Sequence, residues 1–306
     1  MVALCGCGGP ETSTTSAPTG PATHADASTP TAFPTATGPP SVTSTAPTKV
    51  LVVVEENKSA STALEQMPYL AALADQYLRT SNYRAVTHPS LPNYLAIAAG
   101  STFGISDDDP PERHPITQVS VFDEALAAGR TVRTFAESMP HNCTLTDSGR
   151  YAVKHNPWAY FSVPVSRANC QRFDVPAGTP DQGALHDDVL AGTLPTIGLL
   201  IPDLCNDAHD CSMQVADSWL RQWIPFVTAG PDYQAGRLAI VVTFDEDDRT
   251  AGNNVLTTII SPNVSAMVSA TPLNHYSLAR YFAELAGVPP LNQAAQSPSL
   301  AQVFTS

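Results

Sequence analysis

The 306-residue sequence is short of basic residues: 15 Lys and Arg stand against 28 Asp and Glu, a formal charge of −13. Nucleic-acid backbones are bound by clustered Lys and Arg that displace counterions, so no nucleic-acid partner is expected. Charge of either sign is scarce, at 14% of residues. No run of about 18 apolar residues occurs, so no helix is expected to span a membrane. No G-x-S-x-G is present, which excludes the nucleophile elbow of the α/β-hydrolases. The cysteines form no C-x-x-C pairs, which argues against a structural zinc site. Residues 1–48 contain no Lys or Arg at all.

What those first residues do contain is Thr, Pro and Ser, at 25 of the 39 positions from Pro10 to Thr48. Such a segment cannot bury enough apolar area to offset its ordering entropy, and it reads as a disordered linker or stalk. Ahead of it stands MVALCGCGG. The run Leu4-Cys5-Gly6-Cys7 resembles a bacterial lipobox, with Cys7 as the lipid-anchored residue, although the basic and apolar regions of a signal are missing. A truncated start and an accidental Cys/Gly-rich terminus both remain open. Four further cysteines, Cys143, Cys170, Cys205 and Cys211, allow three connectivities. Proximity favours Cys143–Cys170 and Cys205–Cys211. Disulfides need an oxidising compartment, so the protein is expected to be secreted or anchored to the outer face of a bacterial envelope.

Residues 49–306 read as one catalytic domain. Hydrophobic residues make up 43% of the chain, enough for a substantial core. Lys49–Val54, Thr196–Ile201 and Leu238–Phe244 are apolar runs that predict buried strands, joined by Val132–Phe135 and Val255–Ile260. Between them, apolar spacing predicts helices opened by Pro68, running from about Ser90 to Gly100, over Val121–Ala128 and Asp217–Val227, and through Leu278, Tyr281, Phe282 and Leu285 to Gly287. Strands alternating with helices predict an α/β fold with a mostly parallel sheet covered on both faces. Sites in such folds lie at the carboxyl ends of the strands.

Polar clusters stand at those ends. Glu55, Glu56 and Asn57 follow the first strand. Asp203, Asn206, Asp207, His209 and Asp210 follow the 197–201 run, and Asp245 to Asp248 follow 238–244. His275 precedes the last helix. Each cluster alone would pass for turn formers or helix caps. Three converging acidic clusters would repel unless a cation neutralised them. An oxygen-rich set with one or two His suits Mg, Ca, Mn or Zn, so a divalent metal ion is expected. In His88-Pro89-Ser90-Leu91-Pro92-Asn93, Ser90 opens a helical pattern. It reads either as an ordinary cap or as a nucleophile at an anion-binding helix N-terminus. Of the histidines, His88, His155, His209 and His275 fall inside these motifs. His24 lies in the linker, and His114, His141 and His186 read as surface residues.

The ordered segments VVVEENKS (52–59), THPSLPNYLAIAAGSTFGIS (87–106), YAVKHNPWAYFS (151–162), PDLCNDAHDCSMQVADSWL (202–220), TFDEDD (243–248) and HYSLARYFAEL (275–285) carry a resemblance. Together they resemble the bacterial phosphoesterase family of secreted acid phosphatases and phospholipases C, within the alkaline-phosphatase-like superfamily. The likeness covers about residues 48–306. It implies an alkaline-phosphatase-like α/β/α sandwich. It implies Ser90 as nucleophile, with Asn93 holding phosphoryl oxygens. Glu56, Asn57, Asp245 and Glu246 match metal positions, with Asp207 as an additional ligand and one metal preferred. His209, Asp210 and His275 match positions around the phosphate, His209 or His275 protonating the leaving alcohol, and His155 lies on the rim. Arg249 departs from relatives that often carry Gly there.

The expected activity is phosphate monoester hydrolysis through a phosphoserine, by a monomer. A phospholipase C or other phosphodiesterase is the alternative, although such relatives are commonly longer. A surface binding protein without turnover is the alternative of another class. An anionic lipid substrate would need a local basic rim, for which Lys154, Arg167 and Arg172 are the only nearby candidates.

Overall fold

The structure, a computed structural model, describes residues 46–304. Cys7, the Thr/Pro/Ser-rich segment up to 45 and His24 lie outside the described residues. No helix among those described is long and apolar enough to cross a membrane.

Ten strands are present among them: β1 Lys49–Glu55, β2 Leu78–Thr80, β3 Tyr83–Arg84, β4 Val132–Ala136, β5 Asp174–Pro176, β6 Ile197–Ile201, β7 Leu238–Phe244, β8 Thr257–Ile260, β9 Met267–Ser269 and β10 Leu273–Asn274. Eight of them form one sheet in the order β5-β4-β6-β1-β7-β8-β2-β9, and β3 pairs with β10 in a small separate sheet. The five strands β5, β4, β6, β1 and β7 are mutually parallel. Their apolar runs are buried end to end, because helices cover both faces of a parallel sheet and leave no solvated side to alternate towards. β8 runs antiparallel to β7 and β2. The Val255–Ile260 run is therefore a strand only over its last four residues, and not a parallel one. β2 and the edge strand β9 have three residues each, too short to leave a periodic trace.

The helices form two packs. Helix Ser90–Ala99 packs on His275–Ala286, and Pro68–Gln76 packs on Met213–Ala229. Met213–Ala229 begins one turn earlier than the periodicity from Asp217 suggests, because Met213 and Ala216 extend the buried stripe of Leu220, Trp223, Ile224 and Val227. Helix Ser90–Ala99 is buried along its whole length and stops at Gly100. That residue has φ +65°, and a Cβ there would lie 2.6 Å from the Leu291 carbonyl oxygen, so only glycine fits.

Both expected disulfides form, with Cα–Cα separations of 5.3 Å for Cys143–Cys170 and 4.6 Å for Cys205–Cys211. The first ties the loop after β4 to helix Pro164–Phe173. It encloses 27 residues of sequence separation, a closure of about 3–4 kcal/mol in the chain-entropy model. Replacing Cys143 and Cys170 together by Ser is expected to lower stability by about that amount in urea denaturation. An unchanged midpoint would show that the segment is held by other contacts.

Candidate active site

The register of β1 on β7 sets the site. Glu55 stands opposite Phe244, so Glu56 and Asp245 leave their strands side by side. The Asp245 amide donates to the Glu55 carbonyl at 2.9 Å, and the Glu56 amide donates to the Asp207 carbonyl at 2.8 Å. Three acidic strand ends are thereby tied together through the backbone.

Helix Ser90–Ala99 brings the hydroxyl. Pro89 occupies its N-cap position and Ser90 is the first helical residue, so Ser90 is not the cap. Its Oγ, 2% exposed as part of the residue, donates to Glu56 Oε2 at 3.0 Å. Glu56 also accepts from Tyr94 Oη at 2.7 Å and from Asn57 Nδ2 at 2.8 Å. The Asn57 amide donates to Asp245 Oδ1 at 2.9 Å. Asn57 does so with φ +57°, a left-handed conformation that Asn tolerates better than most residues. The Leu91 N–H at this helix start, read above as open for an anion, is taken by Asp108 Oδ1 at 2.9 Å.

The histidines divide. His155 lies between carboxylates, Nδ1 3.2 Å from Asp207 Oδ2 and Nε2 3.3 Å from Glu56 Oε1, and stacks on Tyr94. His209 is near the surface: Nδ1 meets Asp210 Oδ1 at 2.7 Å and Nε2 lies 3.2 Å from Lys154 Nζ. Glu56, His155 and His209 each bring a ligand atom within 4.8 Å of the others. His275 is fully buried, Nε2 at 2.6 Å from the Asp245 carbonyl oxygen and Nδ1 at 3.1 Å from Tyr83 Oη. It thus donates to the carbonyl and accepts from the tyrosine. Asp210 is exposed and touches the site only through His209.

Asn93 is bound up in the loop before the helix. Its Oδ1 accepts from the Val86 and Thr87 amides, and its Nδ2 donates to the Thr87 and Pro89 carbonyls. Its link to the acidic cluster is Glu246 Oε2 at 3.3 Å. Asp247, read only as part of an acidic run, accepts the amides of Arg249, Ala251 and Asn253 and so shapes the following loop. His88 joins this group, Nδ1 3.1 Å from Glu246 and Nε2 3.3 Å from Asp247. Tyr94 and Asp108 were not singled out in the sequence as site residues. The aromatic at Ser90 plus four, one turn along the helix, was the available signal for Tyr94. Of the basic rim expected above, only Lys154 reaches the site. Arg167 donates to the Ala159 carbonyl and Arg172 lies over Phe173.

Burial drives the electrostatics. It raises Glu56 well above the carboxylate range, helped by the charges of Asp245 and Asp207. It lifts Asp245 and Asp207 to about 7, and Glu246 to about 8 with the Asp245 charge adding to it. Burial, with Lys154 and His209 nearby, drives His155 well below its ordinary value, and burial takes His275 to about 4. Asp245 Oδ2, Asp207 Oδ2 and His155 Nε2 are buried without a hydrogen-bond partner. Carboxylates, one amide and imidazoles around orphaned acceptors are a donor set that fits a divalent cation. Glu55 is separate from this set: it is fully buried, both its oxygens lack partners, and after burial its neighbours in charge are Asp207, Glu137 and Asp217.

Comparison with known proteins accords with this arrangement. The model of the Phosphoesterase family matches residues 54–289. A phosphatidylinositol-3-phosphatase of Mycobacterium tuberculosis is 31% identical over 260 residues, 83% of this chain and 82% of that protein. The chain belongs to the phosphoesterase family. As a phosphoesterase it is a phosphoric ester hydrolase. A phosphate-repressible acid phosphatase of Penicillium chrysogenum is 27% identical over 73% of the chain. The chain spans 55% of the length of that fungal relative. A solved structure of an alkaline phosphatase superfamily protein from Vibrio parahaemolyticus superposes with a TM-score of 0.55 at 11% identity, covering 78% of this chain and 66% of that one. That likeness shows the alkaline-phosphatase-like fold.

The raised carboxylates give a sign for stability. A group whose folded pKa lies above its unfolded value stabilises fully below the unfolded value, and that contribution is lost as pH rises through the folded one. The unfolded values are about 4, and the folded values of Asp245, Asp207 and Glu246 are about 7 to about 8. Chelator-treated protein is therefore expected to lose thermal stability between about pH 4 and 8. Added divalent cation should restore it most at the alkaline end. A melting temperature that is flat across this window in chelator would contradict the buried-carboxylate account.

Proposed function

We propose that residues 49–306 are the catalytic domain of an exported phosphomonoesterase of the acid phosphatase type, acting through a phosphoserine on Ser90. The observation that carries the reading is the Ser90 hydroxyl donating at 3.0 Å to Glu56, inside a buried cluster with orphaned acceptors. Glu56, Asn57, Asp245 and Glu246 would hold one divalent cation, with Asp207 as an additional ligand. When bound, the cation supplies charge for the phosphoryl oxygens and lowers the pKa of a nearby hydroxyl.

Ser90 attacks phosphorus as its proton passes towards Glu56, to which it already points. The Ser–O–P bond forms and the bond to the alcohol breaks. His209 gives that alcohol its proton, a reading supported by its being the most accessible of the site histidines and by its ring contact with Asp210. His275 has both nitrogens engaged below Asp245, and acts by holding that carbonyl. Water then cleaves the phosphoserine, with His209 returning as base. Asn93 and His155 line the phosphate position, Asn93 by fixing the 86–89 loop. The similarity to a phosphatidylinositol-3-phosphatase supports a phosphoinositide as one substrate. The disulfides, the Thr/Pro/Ser-rich segment and Cys7 support export, with Cys7 as a lipid anchor.

The full chain is expected to release phosphate from p-nitrophenyl phosphate, to stop in EDTA and to recover with a divalent cation. Faster release from bis(p-nitrophenyl) phosphate would make it a diesterase, and folded protein inert on both esters would make it a binding protein. Ser90→Ala should lower turnover by roughly 10³-fold or more with its circular dichroism unchanged. Near-normal activity of that folded variant would remove Ser90 from the mechanism.

A further inference from the structure

Two cavities flank the acidic cluster, and they differ in charge. On the Lys154 and His209 side, a cavity of about 490 Å³ carries Asp108, Glu112 and Asp147, with Leu145 and Leu204 as apolar wall. The Lys154 charge there is already paired with Asp108 at 3.0 Å. On the Glu246 side, a more open cavity of about 510 Å³ is lined by Thr87, His88, Asp247, Arg249, Gly252 and Asn253. Its one carboxylate, Asp247, is occupied by three backbone amides.

Arg249 is the unusual member. Its backbone amide is bonded to Asp247, whereas its guanidinium makes no ion pair or hydrogen bond among the described residues. The side chain nevertheless lines the same cavity as His88, whose Nδ1 lies 3.1 Å from Glu246. It stands at φ +65°, a left-handed position that is unfavourable for a non-glycine residue and that glycine would occupy freely. Arg84 lies on the same side, its Nη1 donating to the Gly252 carbonyl at 2.7 Å. It lines an adjoining cleft with Asn82 and Tyr276, and Val86 borders both spaces. In a chain of charge −13, an anion needs a local cation to dock, and a free guanidinium offers a planar fork for phosphate oxygens.

We infer that the site selects phosphate monoesters whose alcohol bears a second anionic group, and that Arg249, backed by Arg84, binds that group on the His88 side. This rests on the monoesterase reading and deepens it. The ester oxygen stays over the acidic cluster between the two cavities, on the side His209 can reach, while the rest of the alcohol extends towards Arg249 and the acidic cavity repels its second anion. Arg249 is a specificity residue: it touches the part of the substrate that does not react.

The test is a matched pair, inositol 3-phosphate and inositol 1,3-bisphosphate, which share the alcohol and differ in one phosphate. The wild-type chain is expected to prefer the bisphosphate by about tenfold in kcat/KM, the worth of one charge-assisted contact. Arg249→Ala should remove most of that preference through KM, leaving inositol 3-phosphate and p-nitrophenyl phosphate within about twofold of wild type. Arg249→Lys should recover part of it, and Arg84→Met should lower it with the same pattern. A wild type indifferent to the second phosphate would overturn the inference. So would an Arg249→Ala chain that loses all three substrates alike. The same preference, read as Kd by calorimetry on the Ser90→Ala chain, separates the two proposals. A binding preference that depends on Arg249 stands even where the phosphoserine route fails, and its absence there sinks the inference whatever the turnover.

Discussion

The rest of the structure depends on a single electrostatic constraint: several carboxylates end on adjacent parallel strands, out of water. Glu56, Asp207, Asp245 and Glu246 are buried where two neighbouring strands stop in register and a third is tied in by a backbone bond. Desolvation opposes their charge and each raises the others. Local cations offset them only in part: Lys154 is paired with Asp108, and Arg249 lowers Glu246 without overcoming burial. The arrangement is therefore only comfortable when protonated or when a divalent ion is present. The same tension gives Ser90 an acceptor for its proton and gives the site its chemistry.

Such a cluster persists because its surroundings are rigid. β1, β6 and β7 are buried along their lengths, and a packed parallel core permits little strand slippage, since register is held by side chains on both faces. Helix Ser90–Ala99 packs against helix His275–Ala286 and the short helical turns Val153–His155 and Pro157–Tyr160, and Ser90 stands 3.0 Å from Glu56. Around that centre several residues serve to hold others in place. His275 and Tyr83 support Asp245 from below, Asn93 clamps the 86–89 loop, and Asp247 shapes the loop that presents Arg249.

Much of this was legible in the chain because it depends on local pattern. The apolar runs of β1, β6 and β7 and the polar residues after them are a direct consequence of buried parallel strands with open carboxyl ends. The cysteine pairs followed from proximity. Where the reading differed, the reason was a partner that the motifs do not reveal. Arg167 and Arg172 lie near a motif, but one is drawn to the Ala159 carbonyl and the other onto Phe173. Arg84 and Arg249 are 165 positions apart in the chain, yet both meet the loop at Gly252 and Asn253.

The sequence by itself determined the fold class, the family and the residue types at the strand ends, because burial periodicity and short motifs are written along the chain. The tertiary structure alone decided which of those residues share a site and in what state. Glu55 and Glu56 are neighbours in sequence and both lie at the end of one strand, yet only Glu56 receives Ser90, Asn57 and Tyr94. His209 and His275 are the same residue type in equally suggestive motifs, but one lies at the surface and the other is sealed under Asp245. Desolvation and charge–charge coupling depend on three-dimensional distance, so pKa, accessibility and the direction a leaving group takes appear only when the chain has folded.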